Sequence, residues 1–255
     1  LEKKMSFFNL KEGLFMKGMR CHMRMMFLLA AGLLFGIVSM AGAAPLVVYS
    51  NDFDGAESFY GGVAGGLSGI VTTEGVQGYS ADGFSGNFLR NTTTGNPAGS
   101  TVLTLSNLPA HTSIDVNFLF AFIDSWDSSN GSVSPDWFNV KIDGTPVLQI
   151  TAAIASGSIT YGGMELGTMY NRGFSGWADR AFDMGPESLL SMAHSSSTLS
   201  IEFFASGSGW QGSTDESWAI ENLQVTANPV PLPGAFLLFA PGLAGLLAIR
   251  KRFRK

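Results

Sequence analysis

Carboxylates gather in three short stretches of this chain: Asn51-Asp52-Phe53-Asp54-Gly55, then Asp124-Ser-Trp126-Asp127 running on to Asn130-Gly131 and Pro135-Asp136, then Asp215-Glu216-Ser-Trp218-Ala-Ile-Glu221-Asn222. Asp, Glu and Asn side chains with carbonyls on Gly-rich loops supply the oxygens that a hard cation requires, about six to eight of them for calcium. No contiguous EF-hand spacing is present, so a site must be assembled from separate segments. The candidate ligands are Asp52, Asp54, Asp124, Asp127, Asp136, Asp215 and Glu221, with calcium as the ion. The same residues also read as turn formers and solvated acids, because Asp and Asn favour turns on their own account.

Two indoles are candidates for stacking on sugars. Trp210 lies within Gly207-Ser-Gly-Trp-Gln-Gly212, where the glycines are expected to leave it exposed. Trp126, between Asp124 and Asp127, either plugs the end of the fold or stands out as a sugar platform, whereas Trp137 and Trp218 alternate into strands and read as core. Catalytic machinery is scarce. There is no Gly-x-Ser-x-Gly, the one cysteine is Cys21, and His111 and His194 each sit beside turn residues and read as lone exposed imidazoles. A glycosidase needs two carboxylates flanking a cleft; acids are plentiful, but the clustered Glu-x-Asp pattern of concanavalin-like hydrolases is missing. Calcium or carbohydrate binding is therefore the leading expectation, and a polysaccharide-active glycoside hydrolase is the alternative.

The elements that must position these groups read as β structure. Apolar residues alternate in Ile114-Asp-Val-Asn-Phe-Leu-Phe-Ala-Phe122 and in Leu199-Ser-Ile-Glu-Phe-Phe204, each a strand with one face on a core. Asp143-Gly144 between two such runs predicts a tight hairpin. Only 186–193 looks helical, and the Gly-rich stretches 61–69 and 205–212 read as loops. About ten strands without a βαβ rhythm predict an all-β, two-sheet sandwich of jelly-roll type. First and last strands commonly lie side by side in such folds, which would bring Asp52 or Asp54 near Glu221.

The two ends differ from the middle. Arg20 and Arg24, the apolar run 25–40 and Ala41-Gly-Ala43-Ala44 predict a secretory signal peptide over residues 1–43, cleaved after Ala43 or else Ala44. Met16, Met19, Met23 and Met25 are all plausible starts. The exported part, 44–228, carries four Lys/Arg against eighteen Asp/Glu, a formal charge near −14, so nucleic acid is a poor partner and divalent cations are good ones. The last segment, 229–255, has a Pro-rich breaker, an uncharged apolar run over 234–249 and a basic end. At ~1.5 Å per residue that run reaches roughly 24 Å, short of a ~30 Å hydrocarbon core. It reads as a marginal anchor helix, with the basic end held inside and everything before it outside the inner membrane.

Val230-Pro231-Leu232-Pro233-Gly234, followed by that apolar run and basic end, resembles the PEP-CTERM family of bacterial sorting signals, in the variant that begins Val-Pro-Leu-Pro. Leu232 replaces the Glu of the commonest motif, and Gly234 replaces the variant's usual Ala. The resemblance implies processing by an exosortase, a transient stay in the inner membrane, and release to the cell surface or an exopolysaccharide matrix. The three acidic stretches are in turn similar to jelly-roll domains attached to such tails, and the likeness of the Asp124-Ser-Trp126-Asp127 segment implies a buried Trp126, with Trp210 as the exposed ring. The close Ala-Ile-Glu221-Asn222-Leu is also similar to the Ile-Asp-Asp ending of MAM and laminin-G-like sandwiches. Those relatives hold calcium with acids of their first and last strands.

Overall fold

The computed structural model describes residues 44–127, 134–153, 158–159, 163–230 and 250. The expected signal peptide, the motif residues Pro231, Leu232, Pro233 and Gly234, and the apolar helix all lie outside these residues. Among the described residues no helix is long and apolar enough to cross a membrane. Residues Ala43–Val230 form one compact unit.

Its strands are β1 (Leu46–Asn51), β2 (Ser58–Phe59), β3 (Ala64–Gly69), β4 (Thr73–Gly75), β5 (Asn87–Asn91), β6 (Thr101–Ser106), β7 (His111–Asp124), β8 (Trp137–Ile142), β9 (Thr145–Ile150), β10 (Ala152–Ala153), β11 (Ser158–Ile159), β12 (Met164–Tyr170), β13 (Asp179–Asp183), β14 (Ser191–Ala193), β15 (Thr198–Ser206) and β16 (Glu216–Pro229). They form two antiparallel sheets, an all-β sandwich, with β10 and β11 as a separate small hairpin. The larger sheet is built on the pair β7 and β16, each 14 residues long. The outer edge of β7 is covered by β13 and then β14, with β12 beyond β13. The outer edge of β16 is covered by β5 and then β1, with β4 and β2 beyond them. The smaller sheet runs β3-β6-β15-β8-β9.

Alternation explains the core. From β7, Ile114, Val116, Phe118, Phe120 and Phe122 point between the sheets and meet Phe138, Val140, Ile201, Phe203 and Trp218. Several of these rings contact one another edge to face, as with Phe120 on Phe122 at 4.6 Å and Phe118 on Phe203 at 5.5 Å. The other face of β7 changes character along its length. Its first half is polar, with Ser113, Asp115 and Asn117, whereas Ala121 and Ile123 join a second apolar cluster on the outside of the sheet. There the small residues Ala121, Ala181 and Ala219 leave room for Tyr79, Phe84 and Phe88 from the excursion between β4 and β5, which folds over the sheet. Arg172, buried and paired with Asp82 at 2.7 Å, lies over the Tyr79 ring and fixes that cover.

Three local expectations are corrected. The stretch 61–69 is not all loop, because Ala64–Gly69 is an edge strand on β6. Its glycines serve close approach: a Cβ on Gly65, where φ is +144°, would stand 1.9 Å from the Thr104 carbonyl oxygen. The stretch 186–193 is not an α-helix but a single 3₁₀ turn, Ser188–Leu190, running into β14, whose pairing with β7 takes the remaining residues. No strand was expected at β12, whose side chains are nearly all exposed and so lack alternation. The hairpin at Asp143-Gly144 forms as expected, with both residues at positive φ, +49° and +77°.

Candidate functional site

The first and last strands pair, with Asn51 opposite Leu223. Just past β1, Asn51 Oδ1 accepts from Phe53 N at 2.8 Å and Asp52 Oδ1 accepts from Asp54 N at 3.1 Å. These turns throw Asp54 against the 85–87 turn, where its Oδ1 accepts from Asn87 N at 2.8 Å and Asn87 Nδ2 at 2.9 Å. Gly86 allows that contact, since a Cβ there would lie 1.9 Å from Asp54 Oδ2. Glu221 reaches the same turn from the opposite strand, and its Oε1 accepts from Ser85 N and Ser85 Oγ, each at 3.1 Å. It stands where β16 bulges, Asn222 taking φ +52°, and where the neighbouring strand changes from β5 to β1.

Glu221 has no accessible surface, and its Oε2 has no partner. Burial pushes its carboxyl up, against the Ser85 bonds, and the charges of Asp54 and Asp52 add to the rise. Asp52 and Asn222, the neighbours of these strand ends, line a polar recess of about 230 Å³ together with Ser50, Ser58 and Gln224, and neither Glu221 nor Asp54 is part of its lining. The structure thus gathers Asp54 and Glu221 on one turn, while Asp52 lines the recess.

The remaining acids divide into two groups. Asp124, at φ +73°, donates its N–H to Asp179 Oδ1 at 2.8 Å and accepts from Trp177 N at 3.1 Å. Asp179 accepts from Arg172 N at 2.6 Å, so Asp124 belongs to the Arg172 network. Across the end of the sandwich, Asp127 and Asp136 clasp each other: Asp127 N donates to Asp136 Oδ2 at 2.7 Å and Asp136 N donates to the Asp127 carbonyl at 3.1 Å. Ser125 Oγ holds Asp215 Oδ1 at 2.8 Å. Glu216, which sequence reasoning did not single out, accepts from Gln211 N at 2.6 Å and Gly212 N at 3.3 Å.

Asp136 is fully buried and its Oδ1 has no partner. Burial, resisted by the Asp127 N–H and reinforced by the charges of Glu216, Asp127 and Asp215, pushes its carboxyl up to about 8. Burial and neighbouring carboxylates likewise raise Asp127 and Glu216. Among the described residues, no three His, Cys, Asp or Glu side chains converge closely enough to hold a metal ion as they stand.

The indoles correct the expected sugar platform. Trp210 is only 6% exposed, its Nε1 donates to the Thr93 carbonyl at 2.9 Å, and its ring meets Trp126 edge to face at 5.1 Å. Trp126 is buried too, donating to the Ser217 carbonyl at 2.7 Å, so the pair plugs the end of the core and neither ring can stack on a sugar. The glycines around Trp210 let its loop close rather than expose it: a Cβ on Gly207 would stand 2.1 Å from the Pro135 carbonyl oxygen, and one on Gly209 2.0 Å from that of Ser134. The exposed indole is Trp177, at 56%.

The histidines are not lone or exposed. His111 is buried and its Nδ1 donates to the Pro109 carbonyl at 2.6 Å, leaving Nε2 to accept from His194 Nδ1 at 2.6 Å. His194 Nε2 lies 3.1 Å from Asp143 Oδ2 in the β8–β9 turn. The rings are within 17° of parallel with centroids 4.9 Å apart, the arrangement of two imidazoles joined edge to edge. The chain ties the two sheets together at the end where β16 finishes.

No family model and no curated protein matches the sequence. Among solved structures, the chain is similar to a family 35 carbohydrate-binding module from an environmental isolate, at 16% identity and a TM-score of 0.31, over 67% of this chain and 95% of that one. It is also similar to the catalytic domain of a GH87 alpha-1,3-glucanase in two complexes with nigerose, at 11% and 10% identity and a TM-score of 0.29 in each. Those matches take in 66% of this chain but only 27% of the glucanase chains.

Proposed function

We propose that this chain is an exported, non-catalytic protein of the cell surface or exopolysaccharide matrix, with a sandwich of jelly-roll type completed by calcium between its first and last strands. The observation that carries the reading is Glu221 Oε2, a carboxylate oxygen wholly out of water and without a partner. Such an atom is costly unless a proton or a cation meets it. Asp54 on the same turn supplies further oxygens, and the charge of Asp52 also reaches Glu221. Calcium there would neutralise a buried carboxylate and join strand to turn.

Exposed Trp177 offers the apolar face for a sugar ring, in place of Trp210 and Trp126. The hydrolase alternative is less favoured. Its strongest general-acid candidate, Asp136, has no surface from which to protonate a glycosidic oxygen. The order of breaker, apolar run and basic end supports sorting by an exosortase.

The test of the calcium reading is thermal melting of the full chain in detergent, with calcium and with chelator. A ligand present at a hundred times its Kd adds about 2.7 kcal/mol, on the order of 5–10 °C for a domain of this size. Asp54→Asn combined with Glu221→Gln should reduce that gain. A gain undiminished in the double variant, or no gain in the parent, would overturn it.

A further inference from the structure

We propose a second cation site, distinct from the Glu221 turn, at the end of the sandwich, where Asp136 of one sheet lies within reach of the charges of Asp127, Asp215 and Glu216 of the other. Asp136 directly precedes β8 of the smaller sheet, Asp127 follows β7, and Asp215 and Glu216 open β16 of the larger one. Every charged neighbour acting on Asp136 is another carboxylate, namely Glu216, Asp127 and Asp215.

The independent sign of a ligand is Asp136 Oδ1: fully buried, unpartnered, and adjacent to the backbone of Gly209. Its sister oxygen is already held by Asp127 N, so the side chain is fixed in place with one oxygen left over. The Ser134 carbonyl borders the same glycine, since a Cβ on Gly209 would lie 2.0 Å from Ser134 O and 2.9 Å from Asp136 Oδ1. This puts a neutral oxygen donor next to the orphan one.

The carboxylates do not close on one point, so carbonyls and water must complete the shell. Calcium, with its large and flexible sphere of oxygens, tolerates that, whereas magnesium demands near-octahedral order. A calcium ion here would cross-link the sheets just behind the Trp126–Trp210 plug and relieve the repulsion among four acids.

Those two indoles supply the assay. Terbium, a calcium mimic, bound beside them is excited through tryptophan and emits. The full chain carrying Asp54→Asn and Glu221→Gln, which disable the first site, should show terbium emission on tryptophan excitation that calcium competes away. Adding Asp136→Asn, and separately Glu216→Gln, should weaken terbium binding by about tenfold or more. A merely structural buried acid predicts the opposite for Asp136→Asn: unchanged emission and equal or greater stability in chelator. Absence of emission before Asp136 is changed, or emission untouched by both variants, would overturn the proposal while leaving the Glu221 reading standing.

Discussion

At the scale of single residues, the informative atoms are those whose burial and bonding disagree. Asp136, Glu216 and Glu221 are carboxyls that the fold holds out of water, and each is raised by that burial. A carboxyl raised on folding binds its proton more tightly in the native state, so in chelator the stability it contributes is present at low pH. That contribution is lost as the pH climbs from the unfolded value near 4 towards about 8, the native value of Asp136. The melting temperature of the chelated protein should therefore fall between pH 5 and pH 8. A flat or rising profile would show that these acids are ionised and solvated. The indoles give a second prediction. Trp210→Ala should cost about 3–5 kcal/mol in a denaturant titration, because it opens the plug against Trp126. Trp177→Ala should stay within ~0.5 kcal/mol yet lower co-sedimentation with the producer's own exopolysaccharide. Equal stability losses, or unchanged sedimentation, would count against these roles.

At the scale of elements, strands that bury one face were legible and strands that do not were hidden. β7 and β15 announce themselves through alternation, and Asp143-Gly144 through turn chemistry. β3 carries no such signal, because three of its six residues are glycines, set against the Thr104 carbonyl of β6, the Glu57 side chain and the Ser100 carbonyl. Gly65→Ala should therefore destabilise by more than ~1 kcal/mol although the residue is exposed, measured by chemical unfolding. A neutral effect would show that β3 shifts freely. For the site, the pairing of β1 with β16 was legible, and with it the approach of Asp54 to Glu221, but the 85–87 turn that both carboxylates bond was not. The role of Trp210 was not, since glycines that free a loop and glycines that let it close look alike in sequence. Glu216 was hidden among its acidic neighbours, and only its two backbone donors and its burial set it apart. The histidines lie 83 positions apart, and only the docking of β14 on β7 brings them together.

At the scale of the whole molecule, charge is divided along the chain: residues 44–228 are strongly acidic and lie between a basic first segment and a basic end. If the tail is a transient anchor, mass spectrometry of surface-released protein should find the residues from Gly234 onward missing. An intact C-terminus would instead make it a permanent one. The sandwich's last strand then acquires a mechanical meaning. β16 runs on past its bulge to Pro229, which still pairs with His111, and it is flanked on one side by β7 and on the other by β5 and β1. Tension entering at Val230 pulls along this central strand. If the opposing hold is a glycan at Trp177, whose backbone is bonded to Asp124 beside Glu216, the load crosses all 14 residues, roughly 45 Å of ladder. Hydrogen bonds perpendicular to that pull are sheared together rather than unzipped one by one. The strand that closes the fold is also the rope by which the domain would be tethered, and it is threaded where a rope is hardest to draw out.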